Sequence, residues 1–161
     1  MKHITTAAFT VAVLTLAFAL AWAGAGSANH SHDDLYAAVE PGDSTKSVRV
    51  VQITMGEADG KMFFTPSKVD VKLGEQINFA LRNAGELDHE FVPASTADNQ
   101  KHAEAMMKHP NMEHDDPNAK KLAPKKADEI IWKFSKAGEF EFACLIPGHR
   151  ESGMVGTVTV K

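Results

Sequence analysis

A chain of 161 residues with 21 acidic against 17 basic side chains carries a formal net charge of −4, so it offers no basic surface and nucleic acid is excluded as a partner. Its length suits one domain with a real core, and its single cysteine excludes an internal disulfide.

The chain opens with positive charge at Met1-Lys2-His3, runs uncharged and apolar from Ala7 to Ala21, and continues in small residues from Ala23 to Ala28. That order predicts a secretory signal peptide over residues 1–28, with small-residue cleavage options after Ala23, Ser27 or Ala28. The apolar run is too short for a comfortable span, so a retained anchor is the lesser reading and no membrane association is expected after cleavage. Cleavage removes Lys2 and no acid, leaving 16 basic against 21 acidic residues, a net −5. Export would place the mature chain of about 130 residues in an oxidising compartment. A free exposed thiol is a liability there; a metal-bound one is protected.

Residues 29–46 read as a flexible, His-bearing tail. His30 and His32, close to the amine that cleavage frees, can bind Cu(II); the alternative is a solvated tail that happens to contain histidine. Residues 35–46 contain turn formers and no sustained period, which predicts linker.

From Ser47 the pattern becomes that of strands. Val48, Val50 and Ile53 lie in a β-branched run that ends at Gly56 and the turn-like Asp59-Gly60. Val69, Val71 and Leu73 alternate with Asp70 and Lys72; after Gly74-Glu75, Ile77, Phe79 and Leu81 alternate with polar or small neighbours. Asn83-Ala84-Gly85 breaks that strand, and His89 to Val92 starts another. Short period-two segments with brief connections predict an antiparallel sandwich.

Residues 94–127 interrupt this texture. Good helix formers between Pro93 and Pro110 predict one surface helix over about Thr96 to Lys108, with His102, Met106 and His109 at i, i+4, i+7 on one face. Met107, Met112 and His114 follow closely. This density of soft and borderline donors marks an accessory copper site, or a lid in which Met106 or Met107 shields a metal elsewhere; the alternative is ordinary packing. Lys120, Lys121, Lys125 and Lys126 read as a solvated face.

The strand texture then returns. Ile130, Trp132 and Phe134 share a face, Ala137-Gly138 turns the chain, and the parity of Phe140, Phe142 and Cys144 aims the thiol inward; Val155 to Lys161 is a last strand. About seven strands make an all-β Greek-key β-sandwich with a helical insert and with the Cys144–Met154 loop between the last two strands. That loop spaces Cys144, His149 and Met154 evenly, five residues apart. Thiolate, imidazole and thioether are a copper ligand set, and His89 is the candidate for the second imidazole. Zinc fits the Cys and His donors but has no use for the methionine. A Cys-His nucleophile pair has only the residue types in its favour.

These residues resemble the cupredoxin family. The resemblance is carried by Phe64-Thr65-Pro66, Gly74-Glu75, Asn83-Ala84-Gly85, His89, Ala137-Gly138-Glu139-Phe140 and the Cys-x4-His-x4-Met loop, and it covers nearly all of residues 47–161. The loop spacing is similar to that of rusticyanin-like members; plastocyanins have a shorter Cys-to-His gap. His89-Glu90-Phe91-Val92, the insert ending His114-Asp115-Asp116-Pro117-Asn118, and Ile146-Pro147-Gly148-His149 resemble small periplasmic cupredoxins associated with copper tolerance. The resemblance implies a type 1 copper site with His89, Cys144 and His149 as close equatorial ligands and Met154 as the weak axial one. Many relatives have Asn or Ser after the first histidine, where this chain has Glu90.

The resulting expectation is a periplasmic, redox-active copper protein, monomeric, engaged in copper handling or tolerance with a redox or copper-transfer protein as partner. A soluble one-electron carrier is the alternative. An enzyme is not expected, because multicopper chemistry needs further domains and His-x-His pairs, and the only such pair here is His30-Ser31-His32.

Overall fold

The computed structural model describes residues 39–109 and 116–161, so the signal-peptide reading of residues 1–28 lies outside the described residues. Among the described residues ten strands and one helix follow in order. They are β1 (Val39–Pro41), β2 (Arg49–Ala58), β3 (Lys61–Thr65), β4 (Lys68–Val71), β5 (Gln76–Asn83), β6 (His89–Ala94), α1 (Thr96–Lys108), β7 (Lys120–Leu122), β8 (Ala127–Phe134), β9 (Gly138–Ala143) and β10 (Val155–Val160).

Two five-stranded sheets form, in the orders β1-β8-β5-β2-β3 and β4-β10-β9-β6-β7. The sandwich is as expected, but it is not purely antiparallel: β2 pairs with β5 and β4 with β10 in parallel. Alternation reports which face of a strand is buried, and that pattern is the same for either direction of the neighbour. The chain crosses from β3 in the first sheet to β4 in the second and back to β5, and each crossing brings a strand beside one of the same sense.

Three further strands differ from expectation. β1 lies in the stretch read as linker and pairs with β8, Val39 opposite Phe134. β3 follows the Asp59-Gly60 turn, where both residues have positive φ (51° and 73°), the conformation that a two-residue hairpin requires. β7 is built from Lys120 and Lys121, read as a solvated face, and pairs with β6 beside His89. Leu73 lies beyond the end of β4 and is 56 % exposed. The expected helix forms over its full span, with Ser95 accepting the Asp98 N–H at 3.1 Å and Pro110 beyond its end. Among the described residues no helix is long and apolar enough to cross a membrane.

Between the sheets lies a core of Ile53, Met55, Ile77, Leu81, Trp132 and a cluster of phenylalanines. Phe91 is central to that cluster, with ring centroids 5.1–5.9 Å from Phe79, Phe142 and Phe64. Asn83 is fully buried at the end of β5: its side-chain N–H groups donate to the carbonyls of Leu87 and Leu122, and its oxygen accepts the Gly85 N–H. One amide thus shapes the loop that leads into β6.

At the opposite margin, Arg49 donates to both Glu75 carboxylate oxygens at 2.8 and 3.2 Å and to the Asp70 carbonyl. The Arg49 hydrogen bond is the main cause holding the Glu75 carboxyl below its ordinary value of 4.5. A depressed folded pKa contributes stability that is present above about pH 4.5 and lost as pH falls through the folded value. Arg49→Met is therefore expected to lower stability at neutral pH by less than about 1 kcal/mol, since the pair is partly exposed. The gap between variant and parent should shrink below pH 4.5 in thermal melts. A gap that widens on acidification would refute the assignment.

Candidate metal centre

Strand parity brings the donors together. β6 begins with His89 facing the core, Cys144 follows β9 on the face of Phe140 and Phe142, and Met154 precedes β10. His89, Cys144 and Met154 are all fully buried, while His149 is half-buried on the loop. One ligand atom from each of His89, Cys144 and His149 lies within 4.8 Å of the other two, the only such cluster of His, Cys, Asp or Glu among the described residues. Cys144 Sγ stands 3.4 Å from His149 Nδ1, and the two imidazole rings are 5.3 Å apart at 67°.

The loop holds its own shape. Cys144 N–H donates to the Met154 carbonyl at 3.1 Å, Met154 N–H to the His149 carbonyl at 3.1 Å, and His149 N–H to the Ile146 carbonyl at 3.0 Å. Gly148 and Gly153 adopt φ of 87° and 101°, which side chains rarely tolerate. Arg150 grips the buried Glu141 of β9 through two nitrogens, at 3.2 and 2.9 Å. His149 is therefore flanked by a charge-assisted tie to a rigid strand.

The surroundings suit a metal. The Glu90 N–H donates to Cys144 Sγ at 3.3 Å. Burial pushes the Cys144 thiol up to about 12, and the N–H groups of Glu90 and Ile146 offset only part of that. Burial first, then the neighbouring His89, holds the His149 imidazole below its ordinary value. A neutral imidazole is the form that ligates, and a cation arriving at the thiol must displace its proton. His89 Nδ1 is buried without a protein hydrogen-bond partner. An orphaned imidazole nitrogen beside a buried sulfur and a second imidazole is what a soft or borderline ion would satisfy.

Glu57 on β2 was not legible as a site residue, because it is 32 positions from its partner and no local motif marks it. Its Oε2 accepts from His89 Nε2 at 2.7 Å, and its Oε1 accepts the N–H groups of Glu86 and Leu87. Desolvation is the largest influence and acts upward, yet these donors together hold the carboxyl below its ordinary value. Glu90 is also buried; burial raises its carboxyl despite the Leu145 N–H.

The accessory donors do not share one helical face. His102 is half-buried, 3.9 Å from Asp116, and Met106 is buried against the body. Met107 is 59 % exposed, and His109 is exposed and caps the helix at φ −135°, ψ 66°. The i+7 spacing fails because the helix ends one residue before His109, ahead of Pro110. Met112, His114, His30 and His32 lie outside the described residues.

A family model for copper binding proteins of the plastocyanin/azurin family matches residues 51–161. The chain is 45 % identical over 132 residues to the copper-resistant cuproprotein CopI of Rubrivivax gelatinosus, covering 82 % of this chain and 78 % of the relative. It is 33 % identical over 151 residues to the copper-resistant cuproprotein CopI of Pseudomonas aeruginosa, covering 76 % and 81 %. In fold it resembles reduced auracyanin from Roseiflexus castenholzii, with a TM-score of 0.59 at 20 % identity, over 72 % of this chain and 99 % of that one.

Proposed function

The chain belongs to the plastocyanin/azurin family of copper binding proteins, copper is its metal, and we propose that it acts in the periplasm as a redox-active type 1 copper protein serving copper handling. In this reading His89, Cys144, His149 and Met154 would hold the copper. The observation that carries it is the buried, unpartnered Nδ1 of His89, in a residue whose ligand atoms cluster with those of Cys144 and His149. Two relatives named copper-resistant cuproproteins support the copper-handling role.

Bound copper supplies one-electron exchange between its two common oxidation states. The chain's own residues make that exchange cheap in reorganisation. The phenylalanine cluster excludes water and fixes the ligand walls, the Glu90 N–H tempers the charge on sulfur, and the self-bonded loop limits movement of His149. His149 alone of the four is half-exposed, so its edge is the route for electrons or for copper exchange with a partner protein. The chain does no chemistry on a substrate in this reading. It works as a monomer. The exposed edge also favours the second reading, a soluble one-electron carrier.

Copper titration of the mature protein with visible absorption and metal counting separates the two. An intense thiolate-to-copper band should saturate at one equivalent; further tightly held copper that is lost with the insert or tail supports handling, and a strict single equivalent supports the carrier. Because Met106 is buried, His102→Ala with His109→Ala is a cleaner test of the insert than a triple change that includes Met106. The double variant should keep the band and reduce cellular copper tolerance. Unchanged tolerance counts against a role for the insert.

A further inference from the structure

We propose that Glu57 is a positioning residue of the copper centre: its carboxylate holds His89 with the proton on Nε2, leaves Nδ1 for copper, and lowers the reduction potential by placing a negative charge against that ligand. The inference rests on the reading of His89 as a copper ligand. Glu57 comes from the first sheet and His89 from the second, so the contact ties the two halves of the sandwich at the metal end.

Three donors converge on this one carboxylate. Oε2 receives the Nε2–H of His89 at 2.7 Å, and Oε1 receives the backbone N–H groups of Glu86 and Leu87. An acceptor-only group at 2.7 Å from Nε2 requires the ring proton to be there. In the neutral ring the other nitrogen is then bare, and it is the buried one without a protein partner. The loop makes room for this arrangement: a Cβ on Gly85 would collide with the Glu57 carboxylate. His89 is fully buried and the Glu57 side chain is only 22 % exposed, so solvent screens the pair little. A fixed negative charge stabilises Cu(II) more than Cu(I), because the attraction scales with the charge on the ion. A carboxylate partner also raises the basicity of the ligating imidazole, which acts in the same direction.

Glu57→Gln tests both parts. The glutamine oxygen can keep the Glu86 and Leu87 amides, but its NH2 then faces the His89 Nε2–H, donor against donor. Removing the charge should raise the ratio of Cu(I) to Cu(II) affinity by roughly tenfold, a rise of about 59 mV in potential for one electron. Cu(II) affinity should fall on the order of 10–100-fold, as for other outer partners of ligating histidines. Potential and affinity both unchanged, with the thiolate band intact, would overturn the inference while leaving the copper reading in place. Should the variant not fold, nitrogen NMR of the metal-free parent decides: His89 must carry its proton on Nε2, and a proton on Nδ1 overturns the proposal. A parent protein with no thiolate band on copper loading would remove the copper-ligand reading itself, and the proposal with it.

Discussion

Cys144→Ser is expected to abolish the intense visible absorption of the copper-loaded protein and to weaken Cu(II) binding by more than the roughly 10–100-fold that loss of an outer-sphere partner costs. In the proposed site the thiolate is the one soft anionic donor, and it would be the source of charge transfer to copper. Serine keeps the shape of the side chain but offers a harder oxygen that gives up its proton far less readily. The fold should survive the change. The Glu90 N–H that now reaches Sγ at 3.3 Å can reach a hydroxyl oxygen, and the Cys144 N–H keeps its bond to the Met154 carbonyl. Metal-free variant and parent should therefore melt within about 1–2 kcal/mol of each other, the ordinary range for a conservative buried change. The two imidazoles remain, so weak, pale copper binding is the expected residue of function. A variant that stays intensely blue would mean that the sulfur is not a ligand.

The donors are legible in sequence and their support is not, for a physical reason. Cys144, His149 and Met154 lie on one short loop, and the period-two parity of Phe140, Phe142 and Cys144 already points the thiol inward; the structure buries all three of those side chains on one face. Ile130, Trp132 and Phe134 are read correctly by the same logic. Alternation within a strand is local information. Pairing sense is not, and both parallel pairs escaped because β2 and β4 alternate in the same way whichever direction their neighbours run. β1 and β7 escaped because three residues are too few to show a period. Glu57 escaped for the same reason as the parallel pairs: its meaning depends on a residue in the opposite sheet. The helix was legible in extent, from its flanking prolines and its run of good helix formers, but the faces of its last turn were not, since His109 already lies past the final helical residue.

Phe91→Ala is expected to be the most damaging core substitution near the site, costing roughly 3–5 kcal/mol. Phe91 is fully buried two residues after His89 on the same face of β6, and its ring touches Phe64, Phe79 and Phe142. Phe142 in turn stands two residues before Cys144 and packs over Gly156 of β10, where any Cβ would collide with its ring. Phe91 thus braces the strands that carry both the first imidazole and the thiolate. Truncation leaves a void that the surrounding aromatic rings fill only in part, because their own edges already meet one another at fixed angles. For a domain of this size the loss corresponds to a fall in Tm on the order of 10–20 °C. Phe91→Leu, which refills much of the space, should cost markedly less. The copper-loaded variant should also show a broadened thiolate band, since His89 and Cys144 would sample more positions relative to each other. Copper that binds the native state more tightly than the unfolded chain adds stability by mass action, which makes the metal-free protein the proper measure of the packing term. A cost below about 1 kcal/mol in that form would show that the cluster collapses freely around the gap. The rigidity of the ligand walls would then have to come from the loop hydrogen bonds and the Arg150–Glu141 tie.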